Sequence, residues 1–210
     1  MRIEERMEEY QEEILDMANR VRKSMDMAIK ALISGDKELA LEVIERDDHI
    51  NYADESINDS AVEILSLMQP VAKDLRWLIG GIKIASDLER IGDYSKNIGR
   101  FVIKNDYLET PYDEEIEEIG NLFLENFDAV VGVLKSQDVK QAYIAAELDD
   151  RLDDAFKRIM NRFADDTDAA HRFPLATTGI LRNIERAGDH SKNICEQVIY
   201  IVKGQHIDFG

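Results

Sequence analysis

Four pairs of oxygen-bearing side chains recur at one spacing: Glu89-x-x-x-Asp93, Glu185-x-x-x-Asp189, Asp149-x-x-x-Asp153 and Asp47-x-x-x-Asn51. On a helix, residues four apart share a face, one turn from each other. Carboxylates held that closely repel, and such a site either raises its pKa values or recruits a cation. Hard oxygen ligands suit magnesium, manganese, calcium or iron, and zinc also accepts carboxylate. Asn97 and Asn193 lie two turns beyond Glu89 and Glu185 and could add oxygen ligands or supporting hydrogen bonds. Gly92 and Gly188 sit directly before the second acid of their pairs. Glycine inside a helix costs about 1 kcal/mol relative to alanine, so its presence there points to close approach of a neighbouring helix or a metal cluster. The plainer reading is a solvated helix face neutralised by Arg90, Lys96, Arg186 and Lys192.

Recurrence separates the two readings. The stretch Leu88–Ile98 matches Ile184–Ile194 at an offset of 96, with eight of eleven positions identical. Farther upstream, Leu32, Ser34 and Asp36 match Leu134, Ser136 and Asp138 at an offset of 102, and Asp47 matches Asp149 in that register. The second copy is therefore six residues shorter between its second and third helices, and the polar stretch 165–172 is the natural place for the loss. Repeats of about a hundred residues exceed the roughly 20–50 of a solenoid, so two similar bundles are expected, residues 1–106 and 107–210.

The elements that must carry these residues read as helices throughout. Three prolines and eleven glycines in 210 residues are too few for a sheet protein's turns. Ile3, Met7, Tyr10, Ile14, Met17, Val21, Ala28 and Leu32 recur at steps of four and three, the stripe of a packed helix. Asp36 is the expected N-cap of a second helix running from about Lys37 to Met68, with Pro70 in the first turn of a third that ends near Lys104. Thr110-Pro111-Tyr112-Asp113 reads as a capping box for the fourth helix, a fifth runs to about Ala164, and Pro174 opens a sixth that ends near Lys203. The fold class is all-α: two tandem three-helix bundles.

Composition narrows the function. With 44 acidic against 26 basic side chains the net charge is −18, which argues against tracking a nucleic-acid backbone or lying on an anionic membrane. The longest apolar runs, Trp77–Ile82 and Ala129–Leu134, are six residues, far short of the roughly 20 needed to span a bilayer. The N-terminal residues are charged and mixed in sign, unlike a secretory signal, and the single cysteine, Cys195, fits a reducing cytoplasm. Cys195 is expected as a small buried hydrophobe, Trp77 between helices, and Met17, Met25 and Met27 in the core. His190 is expected to be packed or solvent-facing and not a metal ligand, and none of the four histidines has the Glu-x-x-His spacing of di-iron bundles.

Taken together, Glu-Arg-Ile/Ala-Gly-Asp in each unit, Val43-Ile44-Glu45-Arg46-Asp47 with Asn51, and Gln69-Pro70-Val71-Ala72-Lys73-Asp74-Leu75-Arg76 resemble the PhoU family of phosphate-uptake regulators. The resemblance covers the whole chain. It implies two three-helix bundles side by side and no enzymatic activity. It also implies negative regulation of phosphate uptake and of phosphate-starvation signalling, as an adaptor between a phosphate transporter's ATPase subunit and a sensor histidine kinase. Homodimer formation and a cytoplasmic location are part of the same expectation. Some family members hold metal on E(D)-x-x-x-D surfaces. Position by position, the candidates are Asp47, Glu89 and Asp93 in the first unit and Asp149, Asp153, Glu185 and Asp189 in the second. The ion would be iron, zinc, manganese or magnesium. Asn51 departs from the pattern, and unequal metal affinity of the halves is expected. The alternatives are a metal-dependent carboxylate-bundle enzyme and a metal-storage or scaffold protein.

Overall fold

A computed structural model describes residues 2–105, 113–165 and 173–210, with the side chains of 173–176 excepted. Six helices follow one another: α1 (Ile3–Ser34), α2 (Lys37–Leu67), α3 (Ala72–Lys104), α4 (Asp113–Ser136), α5 (Val139–Asp165) and α6 (Phe173–Lys203). Among the described residues there is no strand, and no helix is long and apolar enough to cross a membrane.

Local chemistry sets the boundaries. The Asp36 carboxylate accepts from the Leu39 amide at 2.9 Å and caps α2. Its counterpart in the repeat, Asp138, accepts from the Lys140 amide at 2.8 Å at the start of α5. Pro70 requires a correction, because α3 begins two residues later, at Ala72. Gln69 takes a left-handed backbone at φ 49° and Val71 is extended, so the chain is still turning at the proline. The expected capping box at Thr110 lies outside the described residues, as does nearly all of the 165–172 stretch.

Packing follows the repeat. Helices α1, α3, α6 and α4 form an inner ring, each touching the next, while α2 lies outside α1 and α3, and α5 outside α4 and α6. The α1 stripe is buried from Met7 to Ala31. Trp77 packs between helices and donates from its indole N–H to Gln137 Oε1 at 3.3 Å, tying α3 to the α4–α5 turn. Arg22 of α1 holds Asp128 of α4 through two hydrogen bonds of 2.9 and 3.0 Å. This arrangement sets the outer helix of each unit against its third helix. Both groups of acids lie there.

Candidate metal centre

In the second unit, α5 brings Asp149 and Asp153 and α6 brings Asp189. One carboxylate oxygen from each lies within 4.8 Å of the others. Asp149 is fully buried, and Asp153 and Asp189 are half-buried above it. Gly188 makes this possible. A methyl group on it would stand 2.6 Å from Leu152 Cδ2 and closer still to Asp149 Oδ1. The close approach read from the sequence is therefore an approach of α5 and its buried acid to the α6 backbone.

Electrostatics in this pocket are unbalanced. Lys192 Nζ is 3.3 Å from Asp149 Oδ2, yet neither Asp149 oxygen receives a well-aligned hydrogen bond, so the contact is chiefly coulombic. Burial lifts the Asp149 carboxyl to about 6, against the pull of Lys192 and with the help of Asp153 and Asp189. Burial and then Asp189 raise Asp153; burial, Asp189 and Asp153 raise Glu185. Burial pulls the Lys192 ammonium down, but Asp149, Asp189 and Asp153 outweigh it and hold the group above its ordinary range. A fully buried carboxylate with no well-aligned hydrogen bond and one ammonium against several acids fits a cation bound between α5 and α6. Asp149, Asp153 and Asp189 are the residues that would hold it, with Glu185 beside them.

The first unit uses the same backbone differently. Asp47 is again buried, but Asn51 donates to its Oδ2 at 3.0 Å and Lys96 hydrogen-bonds the same oxygen. Lys96 also lies 3.9 Å from Asp93, and Arg90 lies 3.6 Å from Asp93 and 3.8 Å from Glu89. Among the described residues no third acid joins these within 4.8 Å. Burial, then Asp93, raises the Glu89 carboxyl, and Asp54, one turn beyond Asn51, adds to the effect. Gly92 faces Ile50, whose Cγ2 would be 3.0 Å from an added methyl group, where Gly188 faces an acid. The candidate acids of this half are thus near one another, with a built-in ammonium already among them.

One expected neighbour of these acids lies elsewhere. Asn193 was expected beside its unit's acids, but it donates to Asp87 Oδ1 at 3.4 Å across the α3–α6 junction. His190 faces the same oxygen through Nδ1 at 2.7 Å, with Tyr94 OH 3.5 Å from Nε2. Tyr94 and His190 occupy equivalent places in the two units, so the junction brings the repeat into contact with itself. The available signal was that this aligned position is one of three at which the repeated motif differs, and the only polar one. Cys195 is buried among apolar groups, and burial pushes its thiol up to about 12.

Comparison with known proteins matches the architecture twice over. The family model described as "PhoU domain" matches residues 14–102 and again 116–198. A phosphate-specific transport system accessory protein PhoU of Serratia marcescens is 31% identical over 208 residues, covering 96% of this chain and 84% of that protein. A homologue in Pseudomonas aeruginosa is 33% identical over 207 residues, covering 96% and 85%. The crystal structure of a phosphate transport system regulatory protein PhoU from Streptococcus pneumoniae superposes with a TM-score of 0.90 at 25% identity, over 99% of this chain and all of the other. That of PhoU from Pseudomonas aeruginosa gives 0.88 at 32% identity, over 97% and all.

Proposed function

The chain belongs to the PhoU family, and on that premise we propose that it is a non-enzymatic accessory regulator of phosphate transport. It restrains phosphate uptake and phosphate-starvation signalling as an adaptor between the transporter's ATPase subunit and a sensor histidine kinase. It works in the cytoplasm as a homodimer, and its sequence divides into two units, residues 1–106 and 107–210. The support is the relatives' names, which make them accessory and regulatory proteins of phosphate transport.

The second-unit acids hold a divalent or multinuclear metal, and this gives the adaptor a metal-bearing face. The single observation behind that reading is Asp149, a fully buried carboxylate without an aligned hydrogen bond, facing Asp153 and Asp189. Around it the exposed acids supply electrostatic complementarity, which mainly sets partner choice and encounter rate.

Pull-down with the purified ATPase subunit and the cytoplasmic part of the kinase tests the adaptor role. Capture of both is expected, with the second-unit variant Asp189→Ala weakening at least one. Failure to bind either, with or without added metal, overturns it.

A further inference from the structure

The second-unit acids hold a cation of the protein's own. Lys192 is on α6, three residues beyond Asp189 and so on the same side of the helix. Its ammonium stands 3.3 Å from Asp149 Oδ2, with the side chain 11% exposed and Asp149 wholly buried. Against the cost of burial, Asp149, Asp189 and Asp153 keep the group charged. These are the same three carboxylates whose oxygens lie within 4.8 Å of one another. The ammonium and a bound metal ion would therefore draw on one set of ligands.

Asp149 is the acid over which the two cations compete. Bonds from carboxylate oxygen to hard cations are about 2.0–2.6 Å, so an ion on Oδ2 would come within about 6 Å of the ammonium. Like charges that close repel strongly where water is excluded. Little geometry holds the ammonium in place, because neither Asp149 oxygen receives a well-aligned hydrogen bond. The lysine stem is long and flexible and can carry its charge outward while the methylenes stay packed. Exchange also improves the balance of charge: three carboxylates face a divalent ion in place of a single positive charge.

The first unit supplies the contrast. Lys96 hydrogen-bonds Asp47 Oδ2, Asn51 donates to the same oxygen at 3.0 Å, and Lys96 lies 3.9 Å from Asp93. Its ammonium is an aligned donor in a network, and among the described residues no cluster of three acids surrounds it. Lys96 is a fixed counter-ion by this geometry. Lys192 is not.

We propose that Lys192 is a displaceable internal counter-ion, which fills the second-unit cation site when metal is absent and swings out to solvent when metal binds. This rests on the cation reading of that site and adds what tunes its affinity and what loading changes. Without metal, the ammonium competes for Asp149 and weakens binding. With metal, it stands at the rim of the α5–α6 face, where a partner would meet it. Metal loading thus alters the surface of the adaptor and not only its interior.

Two measurements on the full chain test the exchange, with manganese(II) as the probe. Acylation by N-hydroxysuccinimidyl acetate, read by peptide mass spectrometry, should label Lys192 slowly in chelator and about fivefold faster or more with saturating manganese. Lys96 should label at the same rate in both. Titration followed by the electron paramagnetic resonance of free manganese should show Lys192→Met binding about tenfold or more tightly than wild type. Loss of a ligand acts in the opposite direction. Lys96→Met removes the same charge from the other unit and should bind within about threefold of wild type, because distant charges are screened. Circular dichroism verifies that the variants are folded, and the labelling needs no variant. Three results overturn the exchange while the cation site stands: manganese binds and Lys192 stays protected, Lys192→Met binds no more tightly, or Lys96→Met gains as much. If neither wild type nor Lys192→Met binds manganese, the cation reading itself falls and the exchange with it.

Discussion

The two acid sites share a sequence motif, a glycine, a buried aspartate and a lysine, and differ most directly in one functional group. Where the first unit has the amide of Asn51, the second has the carboxylate of Asp153. Asn51 can donate, so Asp47 Oδ2 receives hydrogen bonds from it and from Lys96, and only Asp47 Oδ1 is left buried without a donor. Asp153 cannot donate when ionised. It adds charge, leaves Asp149 with a single ammonium at 3.3 Å as its counter-charge, and gathers three acids into one cluster. A repeat in sequence is thus not a repeat in chemistry, and one amide-for-acid exchange separates a closed charge cluster from a cation-seeking one.

The largest expected effect removes the ammonium. Lys192→Met leaves Asp149 buried with no counter-charge, and breaking a buried pair typically costs about 3–5 kcal/mol. Urea unfolding in chelator at pH 8 should show a loss of about 3 kcal/mol. Lys96→Met should cost clearly less, because Asn51 still donates to Asp47. An equal or larger loss for Lys96→Met would erase the contrast.

Next is pH. The folded-state pKa of Asp149, about 6, lies above its unfolded value near 3.9, so the native state binds the extra proton. The stability this gives is complete below about pH 3.9 and disappears as pH rises through about 6. In chelator, wild-type protein should therefore lose about 2 kcal/mol relative to Asp149→Asn between pH 4 and pH 7. Parallel stability curves for the two proteins would contradict it.

A smaller effect separates the glycines. A methyl group at Gly188 collides with Leu152 and Asp149, and overpacking costs about 1–3 kcal/mol against the roughly 1 kcal/mol that alanine returns in helix propensity. Gly188→Ala should lower the thermal midpoint by several degrees and Gly92→Ala should shift it little, since Ile50 has only to yield slightly. Larger damage at Gly92 would show that the α5–α6 approach is not the tighter one.

Much of this contrast was legible in the amino-acid sequence. Apolar stripes and the Asp36 cap located the helices because both signals are local, and the motif repeat placed the acids on matching faces. Asn51 was readable as a departure. Pro70 was assigned to α3 because proline favours a first helical turn, but the left-handed backbone at Gln69 sends the chain past it before the helix begins. Asn193 and His190 depend on the angle at which α6 crosses α3, which no single helix encodes. Lys96 and Lys192 read as surface neutralisers, yet they fold inward, where long aliphatic stems carry the ammonium to a buried acid.

The central claim is that the second unit is the cation site and the first is not its equal. Metal analysis of protein purified without chelators, alongside Asp189→Ala and Asp93→Ala, tests it most directly. Losing even a partner that only supports a ligand costs about 10–100-fold in affinity, and losing a ligand costs at least that, so Asp189→Ala should remove most of the bound metal while Asp93→Ala leaves most in place. Metal content unchanged by Asp189→Ala, or reduced equally by both substitutions, would contradict the account.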